Sequence, residues 1–302
     1  ITRLNSVQAI LLAQNGNQKE ALEKAFIPLK IANKIENSQT GMLDILIAGY
    51  IKGTSLLTIA RIIEQENIAS TSQVSSDDLI KYSTELNNYY TSKEGYKMAA
   101  KNEYFFARNS VKGIYNGLRG SYLDDSSKYK AFLQKIPDRI QPGYIFRINE
   151  TLQIVSGQYQ KYLDSINLPC SELKYIPPKE TQTSKSDMYL TSIKENGVGA
   201  LLTSTIAPVY NFTTKRCYSD LHVAITQTLL ALKAYKIDNG KLPSSLEELV
   251  PKYLSTIPQD PFTYPATSLM YSQNNKTISS VRNDTWEAYS GLIKDGEYKI
   301  KF

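Results

Sequence analysis

The sequence predicts an α+β protein that is mostly α: a helical-hairpin bundle followed by a long helix packed on a small antiparallel β-sheet. Three observations carry that expectation. Apolar residues recur at helical spacing from Leu4 to Tyr235. The stretch Tyr218 to Phe262 strings together a long helix, a glycine stop, a capped short helix and a proline-punctuated segment. Beyond Phe262 the apolar period changes from 3.6 to 2, the signature of strands.

The central stretch is the most specified. Leu221, Ile225, Leu229, Leu232 and Tyr235 fall on one face of a helix, with Ala224 and Ala231 permitting close approach of a neighbour. Gly240 stands where a left-handed residue ends a helix, and Pro243 follows soon after. Ser244-Ser245 with Glu247-Glu248 forms a capping box in either register, opening a helix that Pro251 confines to about two turns. Pro258 and Pro261 hold Ile257 to Phe262 extended, because a residue before proline avoids the helical region.

In chain order, helices are expected at Leu4 to Gln14, Gln18 to Glu36, Met42 to Ile63, Asp77 to Tyr90, Lys93 to Asn116, Ile145 to Ile166 and Met188 to Asn196. The Met42 to Ile63 window is the most apolar, yet it carries Asp44, Lys52 and Arg61. Three ionisable groups argue against a membrane span and for a helix buried on nearly all sides. Ser75 with Asp78 caps the fourth helix. Gly113, Gly117 and Gly120 mark a helix end, and a short helix is expected at Ser127 to Lys135. The Gln18 helix and the turn before it resemble a tetratricopeptide hairpin, but no 34-residue period follows, so helical hairpins are expected. Residues 176–187, IPPKETQTSKSD, have almost no apolar content. They divide the chain into a helical-hairpin domain (1–175), a linker or flexible loop (176–187), and a long helix with an αβ C-terminal region (188–302). Strands are expected at Leu269 to Ser272 and Thr277 to Val281 around an Asn274-Asn275 turn with left-handed Asn. Two more, Thr285 to Ile293 and Glu297 to Phe302, flank Asp295-Gly296.

The segment ALKAYKIDNGKLPSSLEELVPKYLSTIPQDPF resembles the region after the long N-terminal helix of the major pseudopilins of type II secretion. It is similar as well to a group of uncharacterised, membrane-anchored bacterial proteins with a pseudopilin-like tail. Tyr235, Gly240, Pro243, Leu246, Leu249, Pro251, Tyr253, Pro258, Asp260, Pro261 and Phe262 carry the match. NGVGALL (Asn196 to Leu202), read as a turn, and the helical N-terminal half resemble that second group more loosely. The resemblance implies an extracytoplasmic structural or protein-interaction component of the cell envelope, accessory to secretion or type IV pilus machinery. Its partners would be other envelope proteins. The chain starts at Ile1 rather than Met, and a preceding inner-membrane anchor, a removed signal or a truncation is expected. A filament subunit is disfavoured, since helical hairpins would crowd packing through one long helix.

The chemistry-bearing inventory is sparse. The 35 basic and 29 acidic residues are scattered singly, which argues against a nucleic-acid groove. Cys170 and Cys217 are too few for a structural zinc site; exported, they would bridge the two sides of the linker, and otherwise they are two unpaired core thiols. His222 is the lone histidine and no elbow motif surrounds any serine, so no catalytic residue is assigned and the protein is not expected to be an enzyme. Glu103, beside Tyr104, Phe105 and Phe106, is expected in a buried ion pair with an Arg such as Arg108, Arg147 or Arg216, or else pointing to solvent. Calcium-binding pseudopilins carry several acidic ligands near the C-terminus. Here Asp284, Glu287, Asp295 and Glu297 are not densely clustered, so no cofactor is expected, calcium being the one considered. Two alternatives remain open: a hydrolase or ligand-binding enzyme whose carboxylates, such as Glu103, Asp260 and Asp284, are dispersed in sequence and meet only in the fold, and a DNA-binding pilus-related protein.

Overall fold

Where each helix buries its apolar residues determines the architecture. The computed structural model describes residues 2–38, 41–65, 74–123, 142–173, 190–191, 194–206, 212–282 and 297–302. Its helices are α1 (Thr2–Gln14), α2 (Gln18–Glu36), α3 (Met42–Glu64), α4 (Ser76–Glu85), α5 (Lys93–Leu123), α6 (Pro142–Ile145), α7 (Ile148–Asn167), α8 (Gly197–Ile206) and α9 (Phe212–Asn239). Three short strands, β1 (Met270–Ser272), β2 (Thr277–Ser279) and β3 (Glu297–Lys299), form an antiparallel sheet in the order β1-β2-β3. The protein is therefore α+β and mostly α, as its hydrophobic periods predict. The expected helix at Ser127 to Lys135, the 176–187 stretch, the Thr285 to Ile293 strand and the Asp295-Gly296 turn lie outside the described residues. So do residues 188–189 and 192–193 of the expected Met188 to Asn196 helix, whose described end, Lys194 to Asn196, is a bend and turn instead of helix.

The chain groups into two compact units that interleave in sequence. One comprises Ile1–Gly95, Leu168–Leu173 and Thr214–Phe302; the other comprises Tyr96–Asn167 and Lys174–Thr213. This grouping cuts across a division in chain order at 176–187, because the first hairpins and the C-terminal tail share one hydrophobic core. In the first unit, Leu22, Phe26, Leu56 and Ile59 belong to the same buried cluster as Leu221, Leu229, Leu230, Ile278 and Phe302.

Helix α9 is the axis of that unit, and it differs from the expected one-faced helix. It begins earlier, at Phe212, and every residue from Leu221 to Leu232 is buried. Burial of its polar positions is tolerated because Thr226 and Thr228 donate their hydroxyls to the carbonyls of His222 and Ala224, each at 2.8 Å. Helix α3 is long and apolar enough to cross a bilayer, with half of its apolar window buried. It is less enclosed than expected, since Leu43 and Ile47 are exposed. Helix α4 starts on the predicted cap, Ser75 Oγ accepting from the Asp78 N–H at 3.1 Å, and tightens into a 3₁₀ turn at Leu86–Tyr89.

Three local expectations are corrected in the tail and near it. The helix after Ser244-Ser245 is a single 3₁₀ turn, Leu246–Leu249; Glu248 Oε1 accepts from the Ser244 N–H at 2.8 Å, so the carboxylate caps while the fixed chain at Pro251 leaves no room for a second turn. The β1–β2 hairpin closes through four residues, Gln273 to Lys276, and the left-handed residue is Lys276 (φ 51°), not an asparagine. The NGVGALL stretch is no turn: it opens α8, with Asn196 left-handed (φ 49°) just ahead of it.

The second unit contains α6, α7, α8 and α5 from Tyr96 onward. Helix α5 runs through Gly113, Gly117 and Gly120 instead of ending there. Asn196 organises the junction of three elements: Oδ1 accepts from the Arg147 N–H (2.9 Å) and Thr151 Oγ1 (3.1 Å), and its N–H donates to the Tyr144 carbonyl (2.8 Å). Gly199 is required there, because a Cβ would collide with Thr151 Oγ1 and Asn196 Oδ1. Aromatic pairs complete the unit, with ring centroids 4.6 Å apart for Tyr96–Phe212 and 5.7 Å for Tyr104–Tyr159.

Candidate functional site: a buried charge cluster on the central helix

Two of the most buried charged groups of the first unit, Lys52 and Glu36, meet at the end of α2 and the middle of α3, with the half-buried Asp220 of α9 close enough to act on both. Lys52, in the centre of apolar α3, is fully buried. Its Nζ donates to Glu36 Oε2 at 2.6 Å and to the Tyr89 carbonyl at 2.9 Å. Glu36 is the last residue of α2, and its other oxygen, Oε1, is buried without a hydrogen-bond partner. Burial raises the Glu36 carboxyl above the usual range, against the pull of Lys52. Asp220, on α9, accepts from the Thr91 N–H at 2.7 Å, and desolvation likewise raises its carboxyl, opposed by Lys52 and Arg216. Gly95 permits this convergence, since a Cβ there would collide with the Glu36 carbonyl oxygen.

Two further features pin α9. Gln227 donates to the Ser83 carbonyl (3.1 Å) and Asn87 Oδ1 (2.9 Å), and accepts from Tyr90 Oη (3.1 Å). Cys217 is disulfide-bonded to Cys170, with Cα atoms 5.8 Å apart. The sequence leaves these cysteines paired or free; the fold joins them across 47 positions. Cys217 is therefore not a thiolate nucleophile. His222, five residues on, is buried, and desolvation brings its imidazole down to about 4, so it is neutral at pH 7.

The sequence-derived candidates occupy different roles. Glu103 is only half-buried, and among the described residues it makes no ion pair; the buried pair of this protein is Glu36–Lys52. The reason is that Glu103 lies on α5 at the edge of its apolar side, where solvent still reaches it. Asp260 is buried, its two carboxylate oxygens accepting from the Phe262 and Val281 N–H groups, both at 2.9 Å. It is a backbone clamp rather than an acid facing a substrate. Asp284 lies outside the described residues. Among the described residues, no group of three or more His, Cys, Asp or Glu side chains is placed to hold a metal ion.

The tail residues form a second, local network. Gly240 is left-handed (φ 73°). Tyr235 Oη donates to Glu248 Oε2, and Asn239 Nδ2 donates to the Tyr235 carbonyl at 2.9 Å. The Pro243 carbonyl accepts from Tyr271 Oη at 2.9 Å. The Val250–Pro251 peptide is cis. Pro258 is buried, Pro261 follows the Asp260 clamp, and the Phe262 ring packs 5.0 Å from that of Tyr218. Turn and cap chemistry marks all these residues in the sequence. Glu36 and Asp220 carry no such mark, and Lys52 shows there only as a charge in a greasy window. That lone lysine was the available signal, since a buried lysine demands a partner.

No family model, curated protein or solved structure matches this chain.

Proposed function

We propose that the protein is a non-enzymatic, extracytoplasmic structural or protein-interaction component of the bacterial cell envelope, accessory to type II secretion or type IV pilus machinery. The observation that carries this reading is the Cys170–Cys217 disulfide, because such bonds persist in oxidising compartments and are rare in the cytosol. The buried ionisable groups add support: Glu36, Lys52 and Asp260 are engaged with one another or with backbone, the use of charge expected of a scaffold. The helix, glycine stop and small sheet of the tail support pseudopilin-like kinship, a matter of architecture more than activity. Its partners on this reading are other envelope proteins, and the protein is held at the inner membrane.

The test is thiol trapping in intact cells producing the full-length protein, followed by cross-linking and capture from the membrane fraction. Both cysteines should resist alkylation until reductant is added, and secretion or pilus components should be recovered. Thiols that react without reduction would overturn the extracytoplasmic placement. Recovery of none of those components would remove the link to the machinery. In the purified protein, Cys170→Ser with Cys217→Ser should cost about 4 kcal/mol in denaturant melts, the chain-entropy value for a loop of this length.

A further inference from the structure

The exposed side of α5 carries chemistry that neither the charge cluster nor the tail uses. Helical spacing places Met98, Phe105 and Phe106 on one side of it, exposed to 37%, 53% and 69%. Between and beyond them on that side stand Asn102, Asn109, Gly113 and Asn116, all uncharged. Along one border run Lys101, Arg108 and Lys112, spaced so that their side chains form a single row. None of these three makes an ion pair or a side-chain hydrogen bond among the described residues. Glu94 lies about two turns before the row begins. Glu103, within its span, projects away from it, toward Tyr159, whose hydroxyl its charge helps to raise.

We propose that this face of α5 docks onto an anionic phospholipid surface, with Phe105, Phe106 and Met98 entering the interface and Lys101, Arg108 and Lys112 lying against the headgroup phosphates. An amphipathic helix with rings on one side and cations beside them is the arrangement that seats in the plane of a bilayer. Charge complementarity selects the occupant: a row of cations with no acid among them matches a surface of phosphates. The shape favours lipid over a protein groove. Adjacent phenylalanines leave a helix about 100° apart, and a fluid interface accepts both rings where a formed pocket accepts one. The long basic side chains can keep their charges among the headgroups while their stems extend along the apolar boundary. The docking chemistry is the same in whichever compartment holds the protein.

Cosedimentation of the 302-residue chain with vesicles tests it. Vesicles of phosphatidylcholine plus phosphatidylglycerol should retain the protein, vesicles of phosphatidylcholine alone should not, and added salt should weaken retention. Phe105→Ser with Phe106→Ser should lower partitioning by at least about tenfold. The triple change Lys101→Gln, Arg108→Gln, Lys112→Gln should do the same and flatten the salt dependence. Circular dichroism checks folding; if the serine variant is unfolded, the glutamine variant decides. Equal retention on both vesicle types, retention on neither, or variants that bind as wild type would overturn the proposal. So would a dimer in light scattering that the serine variant dissolves, which would assign the face to a second copy of the chain.

Discussion

The first unit satisfies its buried polar groups in two contrasting ways. In the tail, Asp260 takes backbone N–H groups from Phe262, two residues away, and Val281, within the same C-terminal segment. Around α9, Lys52 answers to Glu36 and to the Tyr89 carbonyl, with Asp220 opposing from a third element, and Glu36 keeps one oxygen without a partner. Stability is brittle in the second arrangement and not in the first. A carboxylate held by nearby backbone folds with its own segment, whereas a cation among distant carboxylates requires three helices to arrive together.

Lys52→Ala puts that difference under the greatest load. It leaves Glu36 without its cation and Asp220 with only Arg216, and denaturant unfolding should show a loss of about 5 kcal/mol. A double-mutant cycle with Glu36→Gln should return part of that loss, since the uncompensated carboxylate is the larger fault. Asp260→Ala should cost less, about 3 kcal/mol, because it leaves two N–H groups unpaired but no stranded charge. A smaller loss at Lys52 than at Asp260 would reverse the order of the two sites.

Acid titration separates, by sign, the buried groups around α9 from one another. The His222 pKa is lowered by burial to about 4 from 6.5, so its contribution is complete above the unfolded value and is lost as pH falls toward the folded one. Between pH 7 and pH 5 that loss should be about 2 kcal/mol, and His222→Gln should remove it. Glu36 and Asp220 act with the opposite sign. Their raised carboxyls contribute stability that is present below their unfolded values and lost as pH rises through the folded ones. Melts of the His222→Gln variant should therefore show stability rising as pH falls through the weakly acid range. The smallest effect belongs to the tail backbone: Gly240→Ala, with φ at 73°, should cost about 1 kcal/mol and leave the pH profile unchanged.

The parts of the fold that could be read in advance are those whose cause is local. The Ser75–Asp78 cap and the left-handed stop at Gly240 each depend on a few neighbouring residues, and both stand where their residue types place them. Where expectation and structure part, a more distant partner decides the matter. NGVGALL reads as a turn until Asn196 is seen bonded to Arg147 and Thr151, which lets α8 start there. The single 3₁₀ turn after Ser245 and the left-handed Lys276 reflect how the tail closes on itself, through Tyr271 to the Pro243 carbonyl and Gln273 to the Leu242 carbonyl. The charge cluster was the least legible of all, because Glu36 and Asp220 look like ordinary surface acids until Lys52 is placed beside them.

Which described segments are helices, roughly where most of them begin and end, and the change to strands in the tail follow from the residue order alone, because each outcome rests on neighbours a few positions apart. Folding in three dimensions was needed to enclose the Leu221–Leu232 part of α9 on all sides, to match Lys52 with Glu36 and Asp220, and to bring Cys170 to Cys217. Each of these joins residues far apart in the chain, and no local pattern encodes which distant group will supply the missing charge, hydrogen bond or sulfur.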